Sequence, residues 1–350
     1  MTVEHKSKSK LELICHDMPK VELHCHLYGT IRKETLHFFN RRAGLPFAED
    51  EIEAFYVRGD KPVGVLRVFR ALDSILIKYS QDIYRLVQEY LEDARSHNVL
   101  YSEFFWNPTG CVLLSKIPYP DAQRAIADAI SDMKKSHGIV AKCICAIDRE
   151  AEPERAAEML QMMIENPHPD FIGVGIDYRE TDRPPQLFKE TFEAARKSGL
   201  KLTAHAGEFG TSWTNVDFVV NTIKTDRVDH GYTIVDNPKL LQQCVQEGKI
   251  FTVVPTNSYY LRTLKPEEWA LKHPIRKMVA SGLKVHPNTD DPTLHNVDPT
   301  KAWLMMAECF DCTIADLKSF CFNGIDAAWV DDETKATWKA DWGPYFDPYL

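Results

Sequence analysis

Eight short apolar or β-branched runs recur along the chain, at 21–27, 100–106, 140–147, 171–177, 201–206, 227–230, 250–255 and 283–288. Between most of them lie amphipathic stretches, among them 82–98, 121–137, 153–165 and 184–199, with apolar residues at helical spacing. Eight strands alternating with helices in a chain of 350 residues is the arithmetic of an α/β fold of the (β/α)8 TIM-barrel type. A doubly wound sheet is the competitor. It wants a glycine-rich phosphate turn after its first strand, and His26-Leu-Tyr-Gly-Thr30 offers a single glycine. The reading is therefore one barrel domain over 1–350. It has an N-terminal extension at 1–18, a helical insertion over the barrel mouth at 30–98, and a Trp- and Tyr-rich C-terminal helical cap after Asp331.

Charge and cysteine content narrow the partners. A net charge of −9 disfavours nucleic-acid polymers and anionic membranes. No apolar run approaches the roughly 20 residues needed to span a bilayer. The N-terminus lacks the apolar core of a signal peptide, so the chain reads as cytoplasmic. Nine cysteines at irregular spacing argue for reduced thiols rather than a disulfide framework. The CxxC pair Cys309 and Cys312 has no partner motif and reads as two semi-buried thiols. A homodimer is a further, weaker expectation.

Polar residues cluster where barrel enzymes carry their chemistry, at the C-terminal ends of the proposed strands. His24 and His26 stand two apart on the first strand, so both face the same side. The fifth strand runs into Thr203-Ala-His-Ala-Gly-Glu208, the sixth ends at Val228-Asp-His-Gly231, and the eighth leads to Asn288-Thr-Asp-Asp-Pro292. Adjacent carboxylates at a strand end repel unless they share a cation or a proton. Three imidazoles and one carboxylate suit a single Zn²⁺ that leaves a position for water. The reaction class that follows is metal-assisted hydrolysis or hydrolytic deamination.

Taken in order, His24-Cys-His26, Ala204-His-Ala-Gly-Glu208, Asp229-His-Gly231 and Asn288-Thr-Asp-Asp-Pro292 resemble the adenosine deaminase family of the amidohydrolase superfamily. The opening Pro19-Lys-Val-Glu-Leu-His-Cys-His-Leu27 and the later Val254-Pro-Thr-Asn-Ser258 add to the likeness, which runs from about Pro19 to Asp298. The resemblance implies zinc-dependent hydrolytic deamination of a 6-aminopurine, releasing ammonia and leaving the 6-oxopurine. By motif, His24, His26, His205 and Asp290 would be the metal ligands. Glu208 would protonate purine N1, and His230 would orient and deprotonate the attacking water. Asp291 would accept from the N7 side of the ring or hydrogen-bond the water. Strand four ends in Asp177 and has no lysine to bridge two metals, so one Zn²⁺ per chain is expected.

The chain departs from the family's nucleoside-specific members in two places. Tyr28 stands where they carry a ribose-holding acid, and Asp177-Tyr-Arg-Glu180 replaces a glycine turn that meets purine N3. Tyr28, Asp177, Arg179, Glu180, Gly207 and Asp291 are accordingly expected at the substrate, with Glu180 as reader of the purine edge. Adenine, or an N6-substituted adenine or adenosine, suits these departures as well as adenosine does. The competing enzyme reading is an amidohydrolase acting on another heterocyclic amine. The non-enzyme reading, a binding module that kept the barrel and lost turnover, predicts a damaged site, whereas every ligand position here is intact.

Overall fold

The computed structural model describes residues 9–56 and 65–350. Parts of the 1–18 extension and of the 30–98 insertion lie outside them. Nine parallel strands are described: β1 Lys20–Glu22, β2 Val99–Trp106, β3 Val140–Asp148, β4 Phe171–Asp177, β5 Lys201–Leu202, β6 His205–Ala206, β7 Val228–His230, β8 Ile250–Val253 and β9 Lys284–Pro287. They pair in sequence order as β1 to β5 and as β6 to β9. β5 and β6 are the two halves of the run 201–206. Regular pairing is interrupted at Thr203-Ala204, whose backbone still bonds to both neighbours, Thr203 N to Val174 O and Asp229 N to Ala204 O.

The barrel closes between its last and first strands. Asp290 N donates to His24 O at 2.9 Å and His26 N to Asp290 O at 2.8 Å. The first strand is therefore shorter than the run 21–27 suggests. Regular pairing stops at Glu22, and Cys25 and His26 continue it as single bridges to Asp290 and Phe105. Between Glu22 and that bridge, Leu23 N donates to the Asn288 side chain rather than to backbone.

Strands covered on both faces read as near-continuous apolar runs, and β3 and β4 are buried almost throughout. The helix Ser80–Ser96, which leads into β2, buries Ile83, Leu86, Val87, Tyr90, Leu91 and Ala94, a stripe of three- and four-residue steps. Inside the barrel the side chains stack in layers. The buried ion pair of Glu103 and Arg227 lies low, with Arg227 over the ring of Trp329 at 4.2 Å. Above it Phe105, Ile144 and Ala146 form a small apolar layer. Gly175 admits the Phe105 ring, since a Cβ there would lie 2.7 Å from it.

Between β1 and β2, the helices Lys33–Arg42, Glu49–Phe55 and Val65–Ala71 precede Ser80–Ser96, and Phe69 reaches to 6.3 Å from the His26 ring. The tail forms the helix Asp332–Trp342, where Trp338 stacks on Trp342 and meets Tyr101 near the start of β2. All nine cysteines are free thiols, including Cys309 and Cys312. Among the described residues, no helix is long and apolar enough to cross a membrane.

Candidate metal centre

The C-terminal strand ends carry unusual backbone. Tyr178, His230 and Asp290 adopt φ of 65°, 62° and 66°, a region that a residue with a Cβ enters at a cost. At His230 and Asp290 the turn follows or ends a strand whose partners hold the backbone, so the strain is paid by the barrel. The result brings side chains from the segment after β1, from β6 and β7, and from the loop after β9 to one point.

His24, His26, His205 and Asp290 each offer a ligand atom, all within 4.8 Å of one another and all buried. Ring orientation follows from what each Nδ1 meets. His24 Nδ1 faces Thr252 O at 3.3 Å and Thr252 Oγ1 at 3.2 Å. His26 Nδ1 faces Asp177 Oδ2 and His205 Nδ1 faces Asp229 Oδ2, each at 3.2 Å. These neighbours favour the tautomer with the proton on Nδ1, in which each Nε2 turns its lone pair inward. Two of them, on His26 and His205, are 3.0 Å apart, and His24 Nε2 has no hydrogen-bond partner. Asp290 Oδ1 lies 3.2 Å from His26 Nε2 and 3.7 Å from His24 Nε2. Converging lone pairs repel, and a cation is what relieves them. Burial also keeps His24 neutral, drawing its pKa down to about 3. The donor set therefore suits Zn²⁺.

The supports extend a shell outward. Asp229 Oδ1 accepts from Thr203 at 2.8 Å and Thr252 at 2.7 Å, which leaves Oδ2 for His205. Burial pushes the Asp229 carboxyl up, but its bond to His205 and the nearby His24 and Arg227 outweigh that, and it stays below the usual carboxylate range. Asn107 fixes the other oxygen of Asp177 at 2.8 Å. Phe105 is the floor, stacked on His26 at 4.9 Å and edge-on to His24 and His205.

Glu208 and His230 stand beside this cluster, with Glu208 Oε2 3.6 Å from His230 Nε2. Burial, then the Asp290 and Glu180 carboxylates, push the Glu208 carboxyl well above its ordinary range, which favours its protonated form. Asn257 donates to its Oε1 at 3.1 Å. Burial holds His230 neutral. Its Nδ1 faces Tyr232 Oη at 3.3 Å, and Tyr232 already donates to Val254 O, so Nδ1 is the donor and Nε2 carries the lone pair. Asp291 is buried, and Gly29 leaves room for it: a Cβ there would lie 2.1 Å from Asp291 Oδ1.

The remaining expected residues separate. Tyr28 is buried at the mouth and donates to Asp73 Oδ1 at 2.8 Å. Asp177 is turned to His26 rather than to the space above it. Glu180 is buried, but its carboxylate is committed to the loop: it accepts from Gly207 N, Glu208 N and Asn215 Nδ2 at 2.9, 3.0 and 2.8 Å. These bonds turn the Glu180 carboxylate to the loop and also occupy the Gly207 N–H. The Arg179 side chain is 63% exposed and lies 3.7 Å from Glu150. Sequence reading passed over Asp229, Thr252 and Phe105 as supports, and Phe69, Asp73 and Tyr178 at the mouth. It also missed Arg149, a fully buried guanidinium that donates to His205 O at 2.6 Å. Asp229 and Tyr178, each inside a segment singled out in the sequence, carried a local signal.

A family model described as adenosine deaminase matches residues 19–340. An adenine deaminase of Vibrio parahaemolyticus is 29% identical over 326 residues, 92% of this chain and 94% of the relative. Among solved structures, an amidohydrolase from Burkhoderia ambifaria with bound Zn superposes with a TM-score of 0.96 at 54% identity, over 99% of this chain and 95% of that one. The adenine deaminase of Arthrobacter aurescens shares the fold, with a TM-score of 0.84 at 23% identity over 94% and 99% of the two chains.

Proposed function

The chain belongs to the adenosine deaminase family, and on that premise we propose that it catalyses zinc-dependent hydrolytic deamination of a 6-aminopurine, with adenine as the preferred substrate. The observation that carries this reading is the convergence of His24, His26, His205 and Asp290 ligand atoms within 4.8 Å of one another, with the Glu208 carboxyl and the His230 imidazole beside them. His24, His26, His205 and Asp290 would hold the zinc. When bound, the metal supplies a Lewis acid that makes a nucleophilic water oxygen available near neutral pH.

The chain's own groups do the rest. His230 Nε2 is the lone pair placed to take the proton of the attacking water. Attack at C6 builds negative charge on the ring, and the Glu208 carboxyl meets it by giving its proton to N1. His230 then gives its proton to N6, the C6–N6 bond breaks and ammonia leaves, and the hydroxyl proton on C6 returns to Glu208 as the 6-oxopurine forms. Asp291 is assigned to accept a hydrogen bond from the N7 side or from the water. Asp177 and Asp229 hold the ligand rings, Glu180 holds the loop that bears Glu208, and Arg149 ties the same loop to β3 through the His205 carbonyl.

Adenine is favoured over a nucleoside by the buried mouth, where Tyr28 and Asp73 stand in place of an open ribose-holding acid, and by the activity for which the Vibrio relative is named. A net charge of −9 supports a small-molecule substrate over a polynucleotide. The test is ammonia release by zinc-replete protein from adenine, adenosine, 2′-deoxyadenosine and N6-substituted adenines. Turnover of adenine above the others is expected. Turnover confined to N6-substituted bases or to nucleosides would replace the preferred substrate, and no turnover on any of them would overturn the purine reading.

A further inference from the structure

Two buried polar atoms at the mouth are left without a partner by the chemistry above. The first is the Tyr178 hydroxyl. β4 ends at Asp177, and the next residue turns into the left-handed region with φ 65°. Its ring is clamped in that posture. Phe69 meets it edge-on at 6.1 Å, and the Arg70 guanidinium lies 4.1 Å over its face. Arg70 is itself paired with Asp148 and, at 2.9 Å, with Glu150. Tyr178 is only 6% exposed, and its hydroxyl makes no hydrogen bond.

The second is Asp73 Oδ2. Asp73 is 1% exposed and takes the Tyr28 hydroxyl on Oδ1, while Oδ2 has no partner. Gly110 makes room for that oxygen, since a Cβ there would lie 2.0 Å from it. Phe69 joins the two groups to the centre: its ring is 5.8 Å from Tyr28, 6.1 Å from Tyr178 and 6.3 Å from His26. Packing alone would be served by phenylalanine at 178. A hydroxyl there adds an unpaired dipole to a strained residue, and buried unpaired groups of this kind mark places where a ligand completes the bonding.

One orphan is a hydroxyl that can donate and the other a carboxyl oxygen that can accept. A free 6-aminopurine carries, away from its amino group, an N3 acceptor beside an N9–H donor. A nucleoside has lost that hydrogen to its sugar. We propose that Tyr178 and Asp73 are specificity-determining residues: the Tyr178 hydroxyl donates to N3 and Asp73 Oδ2 accepts from N9–H, so the pair selects the free base. The inference rests on the functional reading above and names the residues that read the base.

The test uses full-length, zinc-loaded protein. Tyr178→Phe keeps the ring, the clamp and the backbone and removes only the hydroxyl. It should raise KM for adenine and weaken binding of hypoxanthine by about 3- to 10-fold, the worth of one neutral hydrogen bond, with zinc content unchanged and Tm unchanged or higher. A purely structural role predicts the rise in Tm without the loss in KM. Wild-type protein should deaminate adenine at least ~10-fold better than 9-methyladenine by kcat/KM, and Asp73→Asn should narrow that ratio. Unchanged KM and hypoxanthine affinity in Tyr178→Phe, or equal handling of 9-methyladenine and adenine by wild type, would overturn the proposal. A wild-type protein that neither deaminates adenine nor binds hypoxanthine removes the functional reading, and the proposal with it.

Discussion

Asp229 on β7 reaches Nδ1 of His205 on β6 across 3.2 Å, with its other oxygen fixed by Thr203 and Thr252. Those two threonines stand on either side of β7, one next to His205 and one facing His24. A single carboxylate thus sets the tautomer of one ligand and shares Thr252 with a second. Asp229→Asn keeps the shape and the threonine bonds in part, but offers His205 a weaker acceptor or an opposing donor. Zinc affinity should fall about 10- to 100-fold, measured by chelator competition, with activity restored in excess zinc. Native zinc affinity in this variant would separate Asp229 from the metal site.

Burial and neighbouring carboxylates push the Glu208 carboxyl well above its ordinary range, and it contributes no atom to the four-residue cluster. Glu208→Gln should therefore bind zinc normally and lose roughly 10² to 10⁴ in kcat. The amide still accepts and donates, but it has no proton to transfer to N1. Zinc content with steady-state kinetics decides the matter, and near-normal turnover would take Glu208 out of the mechanism.

Arg179 and Glu180 are neighbours in sequence with opposite fates. Arg179 points outward to a partly exposed Glu150, and such a pair is worth about 0–1 kcal/mol. Arg179→Ala should leave kcat/KM within a factor of two or so of wild type. Glu180→Ala removes the acceptor of three donors around Gly207 and Glu208, leaving buried N–H groups unpaired at about 1–3 kcal/mol each. Its Tm and kcat should both drop, and an Arg179→Ala protein as impaired as Glu180→Ala would contradict the placement of both.

That contrast also marks what the sequence could and could not reveal. The barrel was legible because eight strand-like runs alternate with helical stretches, and the cluster that could hold a metal because His24 and His26 share a strand face while the other motifs close later strands. Strand one was read too long, since side chains and isolated bridges continue its pairing beyond Glu22 without any change in hydrophobic pattern. The direction of a loop side chain has no such period. Asp177 and Glu180 are spent on supporting bonds, and Arg179 turns to solvent, for reasons that lie in β1, in the 205–208 loop and in Glu150. Asp73 and Phe69 come from an insertion whose approach to the mouth is a tertiary fact with no local spacing to betray it.

His273 gives the fold a pH dependence that is independent of the metal centre. It caps the helix Pro274–Ala280, with Nδ1 accepting from Ile275 N at 3.2 Å, a bond that requires the ring to stay unprotonated there. Burial lowers its pKa from 6.5 to about 3. Between those values the unfolded chain binds a proton that the folded chain refuses, so stability is present above pH 6.5 and is lost as pH falls toward 3, with a slope of at most ~1.4 kcal/mol per pH unit. His273→Asn supplies a non-titrating cap oxygen in place of the ring nitrogen. Its Tm at pH 7 should lie within a few degrees of wild type, while the decline between pH 6.5 and 4 should be shallower. Melting curves across that range provide the check, and parallel declines in the two proteins would assign the acid sensitivity to groups other than His273.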